Sequence, residues 1–151
     1  MNAYLNRLFA YHDWANCQYF PILSLETVPA ECLRLYSHIL NAHGIWMARI
    51  LNQKMPVAPF DVHKVEDLKQ IHESFQAQSI RLLEIERNYD RVINYTTSSG
   101  ERFSNSLGDI MAHIVNHGTY HRGQVAMLLR NADISPVATD YIVYLRELDK
   151  E

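Results

Sequence analysis

Cysteine is scarce in this sequence: two residues, Cys17 and Cys32, among 151. Neither has a CxxC partner, and both fall in segments of helical period. A disulfide framework is thereby excluded, and the pair reads as reduced, packing thiols of a cytoplasmic protein. Positive charge is short as well. Lys and Arg number 14 against 17 Asp and Glu, for a net charge of -3 and a pI near 6.2. Arg81, Arg87 and Arg91 alternate with Glu84, Glu86 and Asp90, a solvated surface rather than a phosphate-binding face. Nucleic acid is therefore not an expected partner. No apolar run approaches the ~20 residues a membrane helix needs, and no signal-peptide pattern opens the chain. Repeats, linkers and low-complexity stretches are also missing. The chain is expected to form a single domain over residues 1–151, long enough to build a core without staples.

Helical period governs what is present. A first helix is expected over about Asn2–Leu25, ending at Thr27 to Pro29. A second spans about Ala30–Asn52 and stops before Pro56 and Pro59. A third begins after Asp61, a candidate cap, and carries Val65, Leu68, Ile71, Phe75, Leu82 and Leu83. Between Val92 and Ser104 the residues become β-branched and aromatic around Ser98-Ser99-Gly100, which predicts a small hairpin. Ser106 and Asp109 resemble a capping box and start a fourth helix running to about Asn131. Ser135-Pro136 breaks it, and a last helix covers about Asp140–Asp149. Four long helices predict an all-α four-helix bundle, with the hairpin and the C-terminal helix as appendages.

Eight histidines are the compositional excess. His113, His117 and His121 are spaced by four, so all three lean toward one side of the fourth helix. At this histidine content a single HxxxH pair has a chance expectation of roughly 0.4, and the triple about 0.02. On a helical wheel, Leu107, Ile110, Met111, Ile114, Val125, Leu128 and Leu129 fill one apolar arc. His121 falls inside that arc, His117 at its edge and His113 beyond it. An unpartnered imidazole in a bundle seam is costly, so His117 and His121 need partners, either a shared metal ion or hydrogen bonds within the core. Two histidines rarely complete a metal site, and the second helix offers His38 and His43. Its apolar arc centres on His43, whereas a ligand to a substrate-accessible metal belongs at an arc's edge. Spacing alone leaves the two open. His12, His63 and His72 lack an i+4 partner and read as surface or packing residues.

Longer motifs surround these histidines. Tyr11-His12-Asp13-Trp14-Ala15-Asn16, then His38-Ile39-Leu40 with Trp46, then His117-Gly118-Thr119-Tyr120-His121-Arg122-Gly123-Gln124, and finally Thr139-Asp140-Tyr141-Ile142-Val143-Tyr144-Leu145-Arg146 together resemble the DinB family of bundle proteins. The resemblance covers nearly the whole chain. It implies an up-down-down-up bundle with one long crossover, usually a homodimer. It also implies a divalent metal held by one histidine of the second helix and two of the fourth, by position His38, His117 and His121.

Three neutral imidazoles leave a coordination position for water or substrate. Zinc and nickel both suit imidazole. Several relatives in the family, the bacillithiol transferase among them, are thiol-dependent transferases. The resemblance therefore implies a low-molecular-weight thiol as co-substrate and S-transfer to small electrophiles. Metal-assisted hydrolysis and a non-catalytic, metal-binding stress-response protein are the alternatives. No general base is assigned. Asn41, His43, Gln124 and Arg122 are candidates to orient the ligands, Asp13 and Trp14 to line a cleft, and Tyr141 and Tyr144 to close its mouth or pack a dimer. Gly118, a poor helix former, is expected to admit another backbone.

Overall fold

The computed structural model describes residues 2–55, 57–97 and 99–150. Pro56 and Ser98, named above for the end of the second helix and the hairpin turn, lie outside the described residues. The elements are α1 (Asn2–Cys17), α2 (Phe20–Leu23), α3 (Ala30–Ile50), a single 3₁₀ turn (Val65–Asp67), α4 (Leu68–Ile85), β1 (Val92–Thr96), β2 (Arg102–Ser106), α5 (Leu107–Asn131) and α6 (Tyr141–Leu148). The expected first helix is thus two. Pro21 stands in the first turn of α2. In a continuous helix its ring would press on the carbonyl of Cys17, four residues earlier, and α1 ends there.

Two helices stop before the prolines assigned to end them. Asn52 and Asp133 both adopt left-handed backbone, with φ of 53° and 56°. Gln53 N–H then reaches back to Ala48 O (2.8 Å), and Ile134 N–H to Leu129 O (2.9 Å). These bonds satisfy the last carbonyls of α3 and α5 in the Schellman manner. At the other end of α5, Ser106 Oγ accepts from Asp109 N–H at 3.1 Å, as its sequence predicts. Asp61 does not cap α4. Its carboxylate accepts from Ala58 N–H inside the preceding loop (2.7 Å).

Paired contacts give the helix directions. Asn2 reaches Leu83 while Asp13 reaches His72, so α1 and α4 are antiparallel. Tyr36 reaches Asn16 while His43 meets Phe9, so α1 and α3 are antiparallel too. Hence α3 and α4 are parallel, and residues 51–64 must run back along the bundle to join them. Tyr11 meets Thr119 and Asn16 meets Arg122, which makes α5 parallel to α1 and opposed to α3. The bundle is up-down-down-up with one long crossover. Buried Asn41 and Ser37 of α3 hold that crossover, through Asp61 O (2.8 Å) and His63 N–H (3.1 Å). The hairpin pairs Val92 with Ser106 through Thr96 with Arg102, and its Ile93 enters the core. Among the described residues, no helix is long and apolar enough to cross a membrane.

The core is not purely apolar. His12, Asn16, His43, His72, Ser79 and Arg122 are each 2% exposed or less. His43 Nε2 donates to Ser79 Oγ (2.7 Å), whose hydroxyl turns to Met47 Sδ (3.3 Å). Gly118 admits a side chain here, not a backbone. A Cβ at that position would stand 2.6 Å from Cε1 of His12, whose ring is tied to Asn16.

Two stability predictions follow from this packing. Gly118→Ala should lower stability by about 1–2 kcal/mol, because overpacking against a fixed ring outweighs the ~1 kcal/mol gain in helix propensity. Urea unfolding measures it, and a more stable variant contradicts the packing argument. The second concerns acid. Burial, with His72 adding, pushes His43 down to about 3. His12 is lowered well below its usual range by burial, then by His43 and Arg122. Unfolded histidines take a proton near pH 6.5, so below that the unfolded chain binds protons the core refuses. Stability is therefore full above about pH 6.5 and falls as pH drops, by up to ~1.4 kcal/mol per pH unit for each histidine. Urea midpoints taken down to about pH 4.5 should fall, and less steeply in His43→Leu. Equal slopes in the two proteins contradict the assignment.

Candidate metal centre

Antiparallel packing brings the middle of α3 against the middle of α5. His117 and His121, one turn apart on α5, there face His38 of α3. The Nε2 atoms of His38 and His117 are 3.1 Å apart. One nitrogen from each of the three rings lies within 4.8 Å of the other two. Ring centroids are separated by 4.4 Å for His117 and His121, and by 4.6 Å for His38 and His121.

Hydrogen bonds on the far side of two rings decide what they present. His38 Nδ1–H donates to the carbonyl of Pro59 in the crossover (2.8 Å), and His121 Nδ1–H donates to Gln124 Oε1 (2.7 Å). Both rings therefore turn a bare Nε2 lone pair toward the shared point. Burial pushes His117 down to about 3, with His121, His38 and His113 adding to it. His38 is also lowered, by burial first, against the opposing pull of the Pro59 carbonyl. His38 and His117 are thus neutral donors at physiological pH. Lone pairs aimed at one another across about 3 Å repel unless a cation or a proton sits between them, and this donor set fits a divalent ion. No carboxylate belongs to the group, so such an ion would keep its full charge.

Phe60, also in the crossover, lies flat on the imidazole of His38, with centroids 4.1 Å apart and planes within 5°. The guanidinium of Arg34 covers the phenyl ring at 4.9 Å. The Pro59 carbonyl and the Phe60 ring were not legible from periodicity, because both reach the site from a loop without period.

Of the candidate orienting residues, Gln124 contacts a ring of the group directly. Asn41 acts one step away, holding the crossover beside Pro59. His43 and Arg122 do not take part. His43 is the more deeply buried of the two α3 histidines, in line with the wheel, but it faces Ser79 of α4. Arg122 points into the core, where it donates to Asn16 Oδ1 (3.0 Å) and the Tyr11 hydroxyl (3.2 Å). Asp13 and Trp14 lie on the side of α1 that meets α4 and α6, away from the three histidines, so they line no cleft there. Tyr141 and Tyr144 pack on Tyr11 and Trp14 rather than closing the site's mouth. His113 neighbours His117 at 5.6 Å and turns its ring to Trp46.

The sequence model of the DinB family matches residues 1–150. A curated relative, "Protein DinB" from Bacillus subtilis (strain 168), is 23% identical over 164 aligned positions. The alignment covers 96% of this chain and 95% of the relative.

A second group, Asp13, Cys17 and His72, also places one potential donor atom each within 4.8 Å of the others. Its protons are already assigned. Arg122 donates to Asn16 Oδ1, so the Asn16 amide N–H groups face His12 Nε2 (3.0 Å) and His72 Nδ1 (3.4 Å). His72 then carries a proton on Nε2 and gives it to Asp13 Oδ1 at 2.7 Å. A metal at that nitrogen would force the proton to Nδ1, against the Asn16 amide. Burial and Asp13 also raise the Cys17 thiol, keeping it protonated. Cobalt added to His121→Ala should therefore produce no thiolate-to-cobalt charge-transfer absorption. A band that appears and is abolished by Cys17→Ser would show that this group binds metal after all.

Proposed function

We propose that this chain, which belongs to the DinB family, is a metal-dependent enzyme whose ion is held by His38, His117 and His121. The observation that carries this reading is the convergence of three imidazole nitrogens from two helices, with two of the rings hydrogen-bonded from behind. His117 and His121 are half-buried, so the group stands at the bundle's edge.

The leading reaction is S-transfer from a low-molecular-weight thiol to a small electrophile. A divalent ion supplies a lowered pKa to a thiol that binds it, giving a nucleophile at neutral pH. In the transfer a carbon–sulfur bond forms and the bond to the leaving group breaks. The leaving group departs with the electron pair, and the thiol proton goes to solvent. The residues of the chain hold and orient: Pro59 and Gln124 fix the imidazoles, and Phe60 keeps His38 in plane. Thiol chemistry is favoured over hydrolysis because no carboxylate is hydrogen-bonded to the group among the described residues, and water activation gains more from a neighbouring base. Zinc and nickel both suit this imidazole donor set.

Elemental analysis of the purified protein and of His38→Ala, His43→Ala and His121→Ala, with turnover of cysteine and chlorodinitrobenzene, tests the reading. His38→Ala and His121→Ala should lose both metal and turnover while staying helical. His43→Ala should keep the metal. Metal retained in His38→Ala but lost in His43→Ala contradicts the ligand set. Turnover unchanged in metal-free protein contradicts the reaction. Gln124→Leu should weaken metal affinity by about 10–100-fold, since the ring it orients loses its fixed tautomer. Titration against a competing chelator measures this, and an unaltered affinity would leave the glutamine without its assigned role.

A further inference from the structure

Beside the three histidines lies a cleft of about 300 Å³ between α3, α5 and the hairpin, lined by Trp46, Tyr95, Asn105, Asp109, Ile110 and His113. It adjoins the three-histidine group. His113 lines the cleft, and its ring is 5.6 Å from that of His117.

The walls are aromatic and steeply angled. Trp46 meets Tyr95 at 4.9 Å and 78°, and meets His113 at 5.2 Å and 75°. Arg49 lies over both Trp46 and Tyr95, at 4.5 and 4.9 Å, and bonds the Thr96 carbonyl (3.3 Å), which pins those rings to the hairpin. One end of the cleft is polar. Tyr95 donates its hydroxyl to Asn105 Oδ1 (2.7 Å), while one oxygen of Asp109 accepts from Ser106 (2.7 Å). The other carboxylate oxygen of Asp109 remains an acceptor. No lysine or arginine lines the space itself; the charge inside it is that of Asp109.

From this geometry, and resting on the metalloenzyme reading above, we infer that the cleft is the electrophile's binding site. The compound it takes is a planar aromatic, of one or two rings, carrying an N–H donor such as a carboxamide. The ring packs against the cleft-facing sides of Trp46, Tyr95 and His113, the donor meets Asp109, and the reactive carbon is directed along His113 toward the three-histidine group. The volume lies at the lower limit of small-molecule sites, which restricts the ligand to that size. Edge and face contacts with three rings favour an aromatic over a saturated ring of equal bulk.

The test uses the metal-loaded protein and benzamide as probe. Two-dimensional NMR should show benzamide shifting the indole N–H of Trp46 and leaving that of Trp14 in place. Cyclohexanecarboxamide should bind at least about fivefold more weakly, and Trp46→Ala should bind benzamide at least about tenfold more weakly with its metal content unchanged. Tyr95→Leu, on the hairpin, provides the same comparison should Trp46→Ala fail to fold. Asp109→Asn should weaken benzamide while leaving toluene binding unaltered. Benzamide signals that move elsewhere, or equal binding by the cleft variants, overturn the inference. Turnover in the same samples separates it from the parent reading. Probe bound in the cleft without turnover of any electrophile sinks the enzyme and leaves the cleft. Turnover lost in His121→Ala but unaffected in Tyr95→Leu and Trp46→Ala does the reverse.

Discussion

Along the antiparallel seam of α3 and α5, each step toward the C-terminus of one helix is a step toward the N-terminus of the other. That arrangement sets His38 opposite His117 and His121, and two turns later sets Trp46 opposite His113. The three-histidine group and the cleft beside it are thus two readings of one register. A slip of one helical turn, ~5.4 Å, would separate both sets at once. The crossover is a consequence of the same packing, because α3 and α4 are parallel and the chain must return along the bundle. On its way it passes the seam, where Pro59 and Phe60 meet His38. A connection that topology requires becomes part of the site.

Some of this was legible in the sequence, and the reasons differ by residue. The α5 pair could be read because both members belong to one helix, where spacing is geometry. Ser106 could be read because capping is local. The choice between His38 and His43 could not, since a wheel reports burial but not which neighbour does the burying. Both residues are at most 9% exposed; one faces α5 and the other α4. The family motif distinguished them because it carries tertiary information that periodicity lacks. Pro21 was legible and overlooked: a proline inside an expected helix marks a break by rule. The hairpin looked like an appendage because its strands are short and mostly polar. The contact of Tyr95 with Trp46, with Asn105 beside it, turns it into a wall.

Arg122 presents a harder energetic problem. Its side chain is 1% exposed and hydrogen-bonds Asn16, Tyr11 and Thr119, with no carboxylate among these partners. Burying a cation on neutral acceptors is costly. What the arrangement provides is orientation. Arg122 fixes the Asn16 amide, the amide sets His12 and His72, and His72 reaches Asp13 at the surface. A run of apolar side chains would fill the same volume without specifying any of these protons.

That distinction sorts the histidines into two kinds. His12 and His43, in the core, commit Nε2 to a protein partner and leave Nδ1 buried with none. His38 and His121 reverse this, committing Nδ1 to an acceptor behind the ring and leaving Nε2 exposed to the seam. A buried imidazole with Nε2 engaged is closed to an ion reached from that side. One with Nδ1 engaged is presented to it. Counting histidines, or measuring their spacing, cannot separate these cases, since the residues are chemically identical until a second hydrogen bond fixes the tautomer. The site is therefore defined as much by Pro59 and Gln124 as by the rings they hold, and a bundle sharing the three histidines but lacking both acceptors would hold an ion less tightly.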